Sequence, residues 1–260
     1  MCGRYTLFTP QGVLEDRFDA AFERPTEPRY NCAPGQRLPV IANDAPDAIR
    51  FRKWGLVPSW ADDESDGGFI NARAETVREK RSFREPFERR RCLVLADGFY
   101  EWVERDGGGK QPYRVAFEDD RPFAMAGLWE RWTPPTTQTG LSDFGGGGGG
   151  SGGSGGSGAN GGDGAGGPAG TQAAEGAEPD AVETFAVVTT EPNGLISDLH
   201  DRMAVVLAPD EEREWLTADP DDAAALLDPH PDDEMIAYPV STRVNSPAND
   251  APDLIEPIEG

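Results

Sequence analysis

RCLVLADGFYEW (residues 91–102) joins two strand-like runs across an Asp-Gly turn signal at Asp97–Gly98. Apolar and β-branched residues set between turn formers mark short strands of a sheet. The same pattern returns on both sides, as LPVIAN (38–43), PYRVAFE (112–118) and PFAMAGLWERW (122–132), then as FAVVTT (185–190) and MAVVLA (203–208). Helical patterns are fewer. TPQGVLEDRFDAAF (9–22) offers Thr9 as a cap, Pro10 for the first turn, and Leu14, Phe18 and Phe22 at i, i+4 spacing. PDEEREWLTA (209–218) reads as a second capped helix. Strands predominate and no βαβ alternation is present. The expectation is an α+β fold, β-rich, with a curved, mainly antiparallel sheet and a few short helices.

Between the strand runs ending at 132 and starting near 183 lies GGGGGGSGGSGGSGANGGDGAGGPAG (145–170), a composition that cannot bury a core. It reads as a flexible insertion over about 140–180, an enlarged inter-strand loop within one domain covering residues 1–260. No stretch approaches the roughly 20 apolar residues of a membrane helix, and no signal peptide is evident, so no membrane partner is expected. Cys2, Cys32 and Cys92 are odd in number and lack C-x-x-C spacing. That argues against a disulfide framework or zinc site and for a reducing cytoplasm, with no metal or cofactor.

The charge is uneven. The chain carries 24 Lys+Arg against 47 Asp+Glu, a formal net charge of −23. Up to Trp132 there are 21 basic and 23 acidic residues, and from Thr133 onward 3 against 24. Such a surface suits concentrated salt, where like charges are screened within a few ångströms, and suggests a halophilic source. The densest basic segment, REKRSFREPFERRR (78–91), holds seven Lys/Arg and three glutamates. Arg78 and Arg81 are candidates for phosphates there, while Arg89 to Arg91 read as a solvated helix face.

The chain begins MCGRY. Removal of Met1 would leave Cys2 with a free α-amine beside its thiol, a 1,2-aminothiol that no internal cysteine provides. The amine, with a reference pKa near 8, can add to an aldehyde and lose water to form an imine. The thiol then closes a five-membered thiazolidine, an intramolecular step with an effective concentration on the order of 10⁵ M. The open form of an abasic deoxyribose presents such an aldehyde. Glu101, between Tyr100 and Trp102, sits in apolar company that favours a protonated carboxyl suited to acid–base work. The plain alternative is a solvent-facing glutamate on a strand. His200, beside Asp201 and Arg202, can shuttle a proton, or serve only structure. Asn71 offers both a donor and an acceptor.

Cys2 together with NARAET (71–76), DGFYEW (97–102) and HDRM (200–203), in that order, resembles the SRAP family, the SOS-response-associated peptidase-like proteins understood as abasic-site processing proteins. The resemblance covers residues 2 to about 133 and 183 to about 257. It implies a β-rich domain, a monomer, that binds single-stranded DNA and links covalently through its N-terminal cysteine to the opened sugar of an abasic site during the DNA damage response. Carried over residue by residue, it gives Cys2 as nucleophile with Asn71, Glu101 and His200 as polar partners. It also gives Arg4, Arg73 and Arg81 at positions that approach phosphates, and Trp60 as an aromatic near the DNA. Ala204 stands where the family commonly has proline. Three other readings compete: a Cys2-dependent peptidase acting on its own chain, a glutamine amidotransferase-like N-terminal nucleophile, and a non-enzymatic single-strand binder using Trp60 and the arginines.

Overall fold

The computed structural model describes residues 2–64, 68–105, 107–134 and 181–258. In chain order its strands are β1 (Tyr5–Leu7), β2 (Ala21–Phe22), β3 (Arg29–Cys32), β4 (Arg37–Ala42), β5 (Ala45–Trp54), β6 (Asn71–Arg73) and β7 (Arg91–Ala96). There follow β8 (Gly98–Glu104), β9 (Lys110–Phe117), β10 (Phe123–Trp132), β11 (Val182–Thr190), β12 (Met203–Ala204), β13 (Val206–Leu207) and β14 (Met235–Pro239). The α-helices are short: α1 (Gln11–Phe18), α2 (Arg84–Arg89), α3 (Gly194–Ser197), α4 (Glu211–Thr217) and α5 (Pro220–Ala225). The glycine-rich stretch at 145–170 lies outside the described residues.

The strands form two sheets. One runs β14-β9-β8-β1-β3, antiparallel throughout. The other runs β12-β11-β10-β7-β4-β5-β2 and closes on itself, because β11 also pairs with β5 through Thr184↔Lys53 and Phe185↔Trp54. The closed ring holds five strands, β5-β4-β7-β10-β11. An odd ring cannot alternate direction all the way round, so one neighbouring pair must run parallel, and β11–β5 is that pair. The expected curvature is thus a small barrel. Its interior and the second sheet share one apolar cluster, in which Tyr5, Phe99 and Val115 join Val94, Met125 and Phe185.

The Asp97–Gly98 pair joins these sheets. β7 belongs to the barrel and β8 to the other sheet, so the expected turn is a corner between layers. Asp97 is fully buried and organises the corner. Its carboxylate accepts from Thr6 Oγ1 (2.6 Å), the Phe8 and Thr9 amides (2.6 and 2.9 Å) and Thr9 Oγ1 (3.0 Å). Its carbonyl accepts from Arg114 Nη2 at 2.8 Å. A Cβ on Gly98 would lie 2.8 Å from Arg114 Nε, so this position requires glycine.

Several local expectations change. Thr9 does not cap α1; its hydroxyl is drawn to Asp97, and Pro10 holds the cap position without a side-chain bond. The helix stops at Phe18, with Asp19 left-handed (φ 49°), so Phe22 belongs to β2 and packs on Phe51. No side chain of Asp210 caps α4, but Glu211 accepts from the Ala208 amide at 2.8 Å. MAVVLA divides at Val205, whose amide donates to Val188 while its carbonyl accepts from Ala126, so one segment serves β11 and then β10. Arg91 is not on a solvated face. It is buried, donating to Trp215 O (2.6 Å), Phe87 O (2.8 Å) and Ala218 O, and it ties α4 to the barrel. Arg90 is half-buried against Glu130 (3.0 Å), leaving only Arg89 of the three exposed.

Candidate active site

Three elements converge on the start of the chain. β1 pairs with β8 through Tyr5↔Phe99, and the ladder continues as the Tyr100 amide donates to Arg4 O at 3.0 Å. The next residue along β8 is Glu101, beside Cys2. β6 runs parallel to β11 with Ala72 buried, which turns Asn71 and Arg73 to the opposite face. Asn71 Nδ2 donates to Cys2 O at 2.9 Å. Asn71 Oδ1 is buried with no hydrogen-bond partner among the described residues, an acceptor held ready for a proton donor.

Cys2 is wholly buried, and burial pushes its thiol up to about 12, with the Glu101 charge acting in the same direction. Cys32 and Cys92 are likewise buried free thiols. Glu101 is 1% exposed, and burial raises its carboxyl to about 7, helped by the Asp201 charge. Both its protonated and its ionised forms are therefore populated near neutrality.

Glu101 also lines an open cleft of about 570 Å³ with Trp102, Lys110, His200 and Asn245. His200 follows α3, its amide donating to Ile196 O at 2.8 Å. Burial holds its imidazole below the ordinary histidine value; the Lys110 charge acts the same way and Asp201 opposes. Its Nδ1 accepts from the Arg202 amide at 2.9 Å, yet Asp201 Oδ1 lies 2.8 Å from the same atom. Asp201 is 87% exposed in its side chain and screened by solvent, whereas the amide is fixed. The neutral ring with its proton on Nε2 satisfies the fixed partner.

The structure thus gathers Cys2, Asn71 and Glu101, and puts Glu101 and His200 on one cleft. Arg4 is half-buried and largely occupied, donating to Asn31 Oδ1 (2.8 Å), Val244 O (2.6 Å) and Asn245 O (3.2 Å). Arg73 is exposed at the end of β6. Trp60 is 41% exposed, with the Arg81 guanidinium 4.3 Å from its ring centroid, a cation–π pair open to solvent. Arg78 pairs with Asp221 at 2.5 Å. His230 packs edge-on against Phe117, 5.4 Å between centroids, away from this group. Sequence reasoning passed over Lys110 and Asn245, and took Trp102 only as a neighbour of Glu101. The signal available for Lys110 was a lone cation after three glycines. Among the described residues no group of His, Cys, Asp and Glu is arranged to hold a metal, and no helix is long and apolar enough to cross a membrane.

Comparison with known proteins gives one pattern. A family model described as SOS response associated peptidase (SRAP) matches residues 1–247. The abasic site processing protein YoqW of Bacillus subtilis is 38% identical over 264 residues, covering 98% of this chain and 99% of that protein. The abasic site processing protein HMCES of Gallus gallus is 32% identical, with 96% of this chain and 70% of that protein covered. Among solved structures, a Bacteroides thetaiotaomicron protein superposes with TM-score 0.74 at 24% identity, covering 99% of this chain and all of that one, a likeness of fold. A phage-related protein of Bordetella bronchiseptica gives TM-score 0.61 at 26% identity, covering 92% of this chain and 94% of that one.

Proposed function

The chain belongs to the SOS response associated peptidase (SRAP) family, and from that premise we propose that it processes abasic sites in single-stranded DNA by covalent capture through Cys2 after loss of Met1. The observation that carries this reading is the contact group at the chain start: Cys2 fixed by Asn71, beside a buried carboxyl whose pKa lies at about 7.

The chemistry uses those residues in sequence. The Cys2 α-amine adds to the C1′ aldehyde of the opened sugar, giving a carbinolamine. Protonated Glu101 donates its proton to the departing hydroxyl, which leaves as water, and an iminium remains. The Cys2 thiol adds to the iminium carbon, its proton passes to the Glu101 carboxylate, and the nitrogen regains its electron pair. One water is lost, a thiazolidine forms, and Glu101 returns to its starting state. Neutral His200, its proton on Nε2, assists opening of the sugar ring by exchanging a proton with its oxygens. Arg73, Arg81 and Trp60 hold the strand by phosphate contact and stacking.

A thiolate-based peptidase finds less support, because a thiol pushed up to about 12 is almost wholly protonated near neutral pH. Addition of the thiol to an iminium, with Glu101 taking the proton, needs no standing thiolate. Work in concentrated salt is part of the same proposal and rests on the net charge of −23.

The test mixes purified protein with an oligonucleotide bearing one abasic site and runs it on a denaturing gel. A shifted band is expected with wild type and absent with Cys2→Ala and with protein that retains Met1. Wild type without a band, or Cys2→Ala with one, overturns covalent capture.

A further inference from the structure

Around the start of the chain the cations are disposed on two sheets. Arg73 belongs to the barrel side, on β6 beside β11. Lys110 opens β9 in the other sheet, directly after Gly108 and Gly109, both with positive φ (85° and 84°). Those glycines turn the chain tightly enough to deliver Lys110 to the cleft wall it shares with Glu101, Trp102, His200 and Asn245. Two residues of that wall are joined, Trp102 Nε1 donating to Asn245 Oδ1 at 2.7 Å.

Lys110 is exposed and makes no ion pair among the described residues. That is notable where Asp and Glu outnumber Lys and Arg 47 to 24. Its field reaches His200 across the cleft. An ammonium in this place does not help a neutral histidine accept a proton, so its use lies elsewhere. A sugar brought to Glu101 and His200 carries a phosphate on each side, and for the phosphate on the side of β9 Lys110 is, among the described residues, the cation lining the cleft.

We infer that Lys110 is a positioning residue that binds a phosphate flanking the abasic sugar, so that the strand is gripped from both sheets with the lesion between them. This rests on the proposed capture of abasic DNA, but it is tested without that chemistry. An oligonucleotide carrying one tetrahydrofuran residue, a ring-closed abasic analogue with no aldehyde, reports binding alone. Its affinity is measured by fluorescence anisotropy across a salt series for wild type, Lys110→Ala and Lys110→Arg.

Loss of one single-strand phosphate contact makes the slope of log K against log salt shallower by about 0.7 and weakens binding roughly fivefold at 0.1 M salt. Lys110→Ala is expected to show both changes, and Lys110→Arg to restore them. A neutral methylphosphonate replacing one of the two flanking phosphates is expected to weaken wild type by the same factor and to leave Lys110→Ala unaffected. A wild-type slope for Lys110→Ala, or equal weakening of both proteins by each of the two methylphosphonates, overturns the inference. Absence of a covalent band with a natural abasic site overturns the capture chemistry instead, and the two failures are read on separate assays.

Discussion

Glu101 shows how one residue serves chemistry at a cost to the fold. Its carboxyl titrates at about 7 in the folded chain against a model value of 4.5. Between those values the folded state binds the extra proton, so stability is highest below pH 4.5 and falls as pH rises through 7. The difference amounts to about 3 kcal/mol. Glu101→Gln is therefore expected to gain about 3 kcal/mol on wild type between pH 4 and pH 8, measured by urea unfolding at both. The same variant should slow crosslinking by about 10²- to 10⁴-fold in single-turnover assays. Gly98→Ala has the opposite character. A Cβ 2.8 Å from Arg114 Nε forces that guanidinium off Asp97, and a loss of about 2 kcal/mol or more is expected in thermal unfolding. The sequence singled out Glu101 by its place between Tyr100 and Trp102. On a strand, however, those neighbours turn to the other face, where they pack with Val240 and Val244, so its burial comes from the tertiary fold. The bond from Thr9 to Asp97 was not legible in the sequence, because its partner lies 88 residues away and overrides a local capping preference.

At the scale of elements, the runs of apolar residues mark most strands correctly, yet they carry no record of which strand closes the ring. β11 meets β5 across 131 residues at the pair Glu183 and Arg52, and parallel pairing leaves no turn to read. Arg91 illustrates a second blind spot. In REKRSFREPFERRR it looks like any solvated arginine, but the tertiary fold brings three carbonyls, two of them from α4 and its end, around one guanidinium. Arg91→Met keeps the aliphatic volume and removes all three bonds. The expected loss is about 3 kcal/mol, seen as a lower urea midpoint, with Arg91→Lys recovering only part. Lys110 escaped notice for a related reason: a cation beside a glycine-rich hairpin turn gains meaning only when β9 is seen to begin at the cleft.

For the molecule as a whole, charge governs how it behaves in solution. A net charge of −23 sets up self-repulsion that salt screens, so the melting temperature is expected to rise between 0.05 and about 1 M KCl in scanning calorimetry. A flat or falling melting temperature would remove the argument for a saline setting. The chain's two ends of interest are also separable. Trp132 and Val182 face each other as neighbours in the β10–β11 ladder, although 49 residues lie between them. Closing a loop between fixed ends costs only about 0.6 kcal/mol per doubling of length. The barrel therefore has a port where foreign sequence can be spliced without touching its strands. This matters because the proposed chemistry leaves no room for a fusion at the other obvious place, ahead of Cys2. A fluorescent domain inserted between Trp132 and Val182 should report on DNA lesions with full capture activity, whereas the same domain fused ahead of Cys2 should bind and never bond.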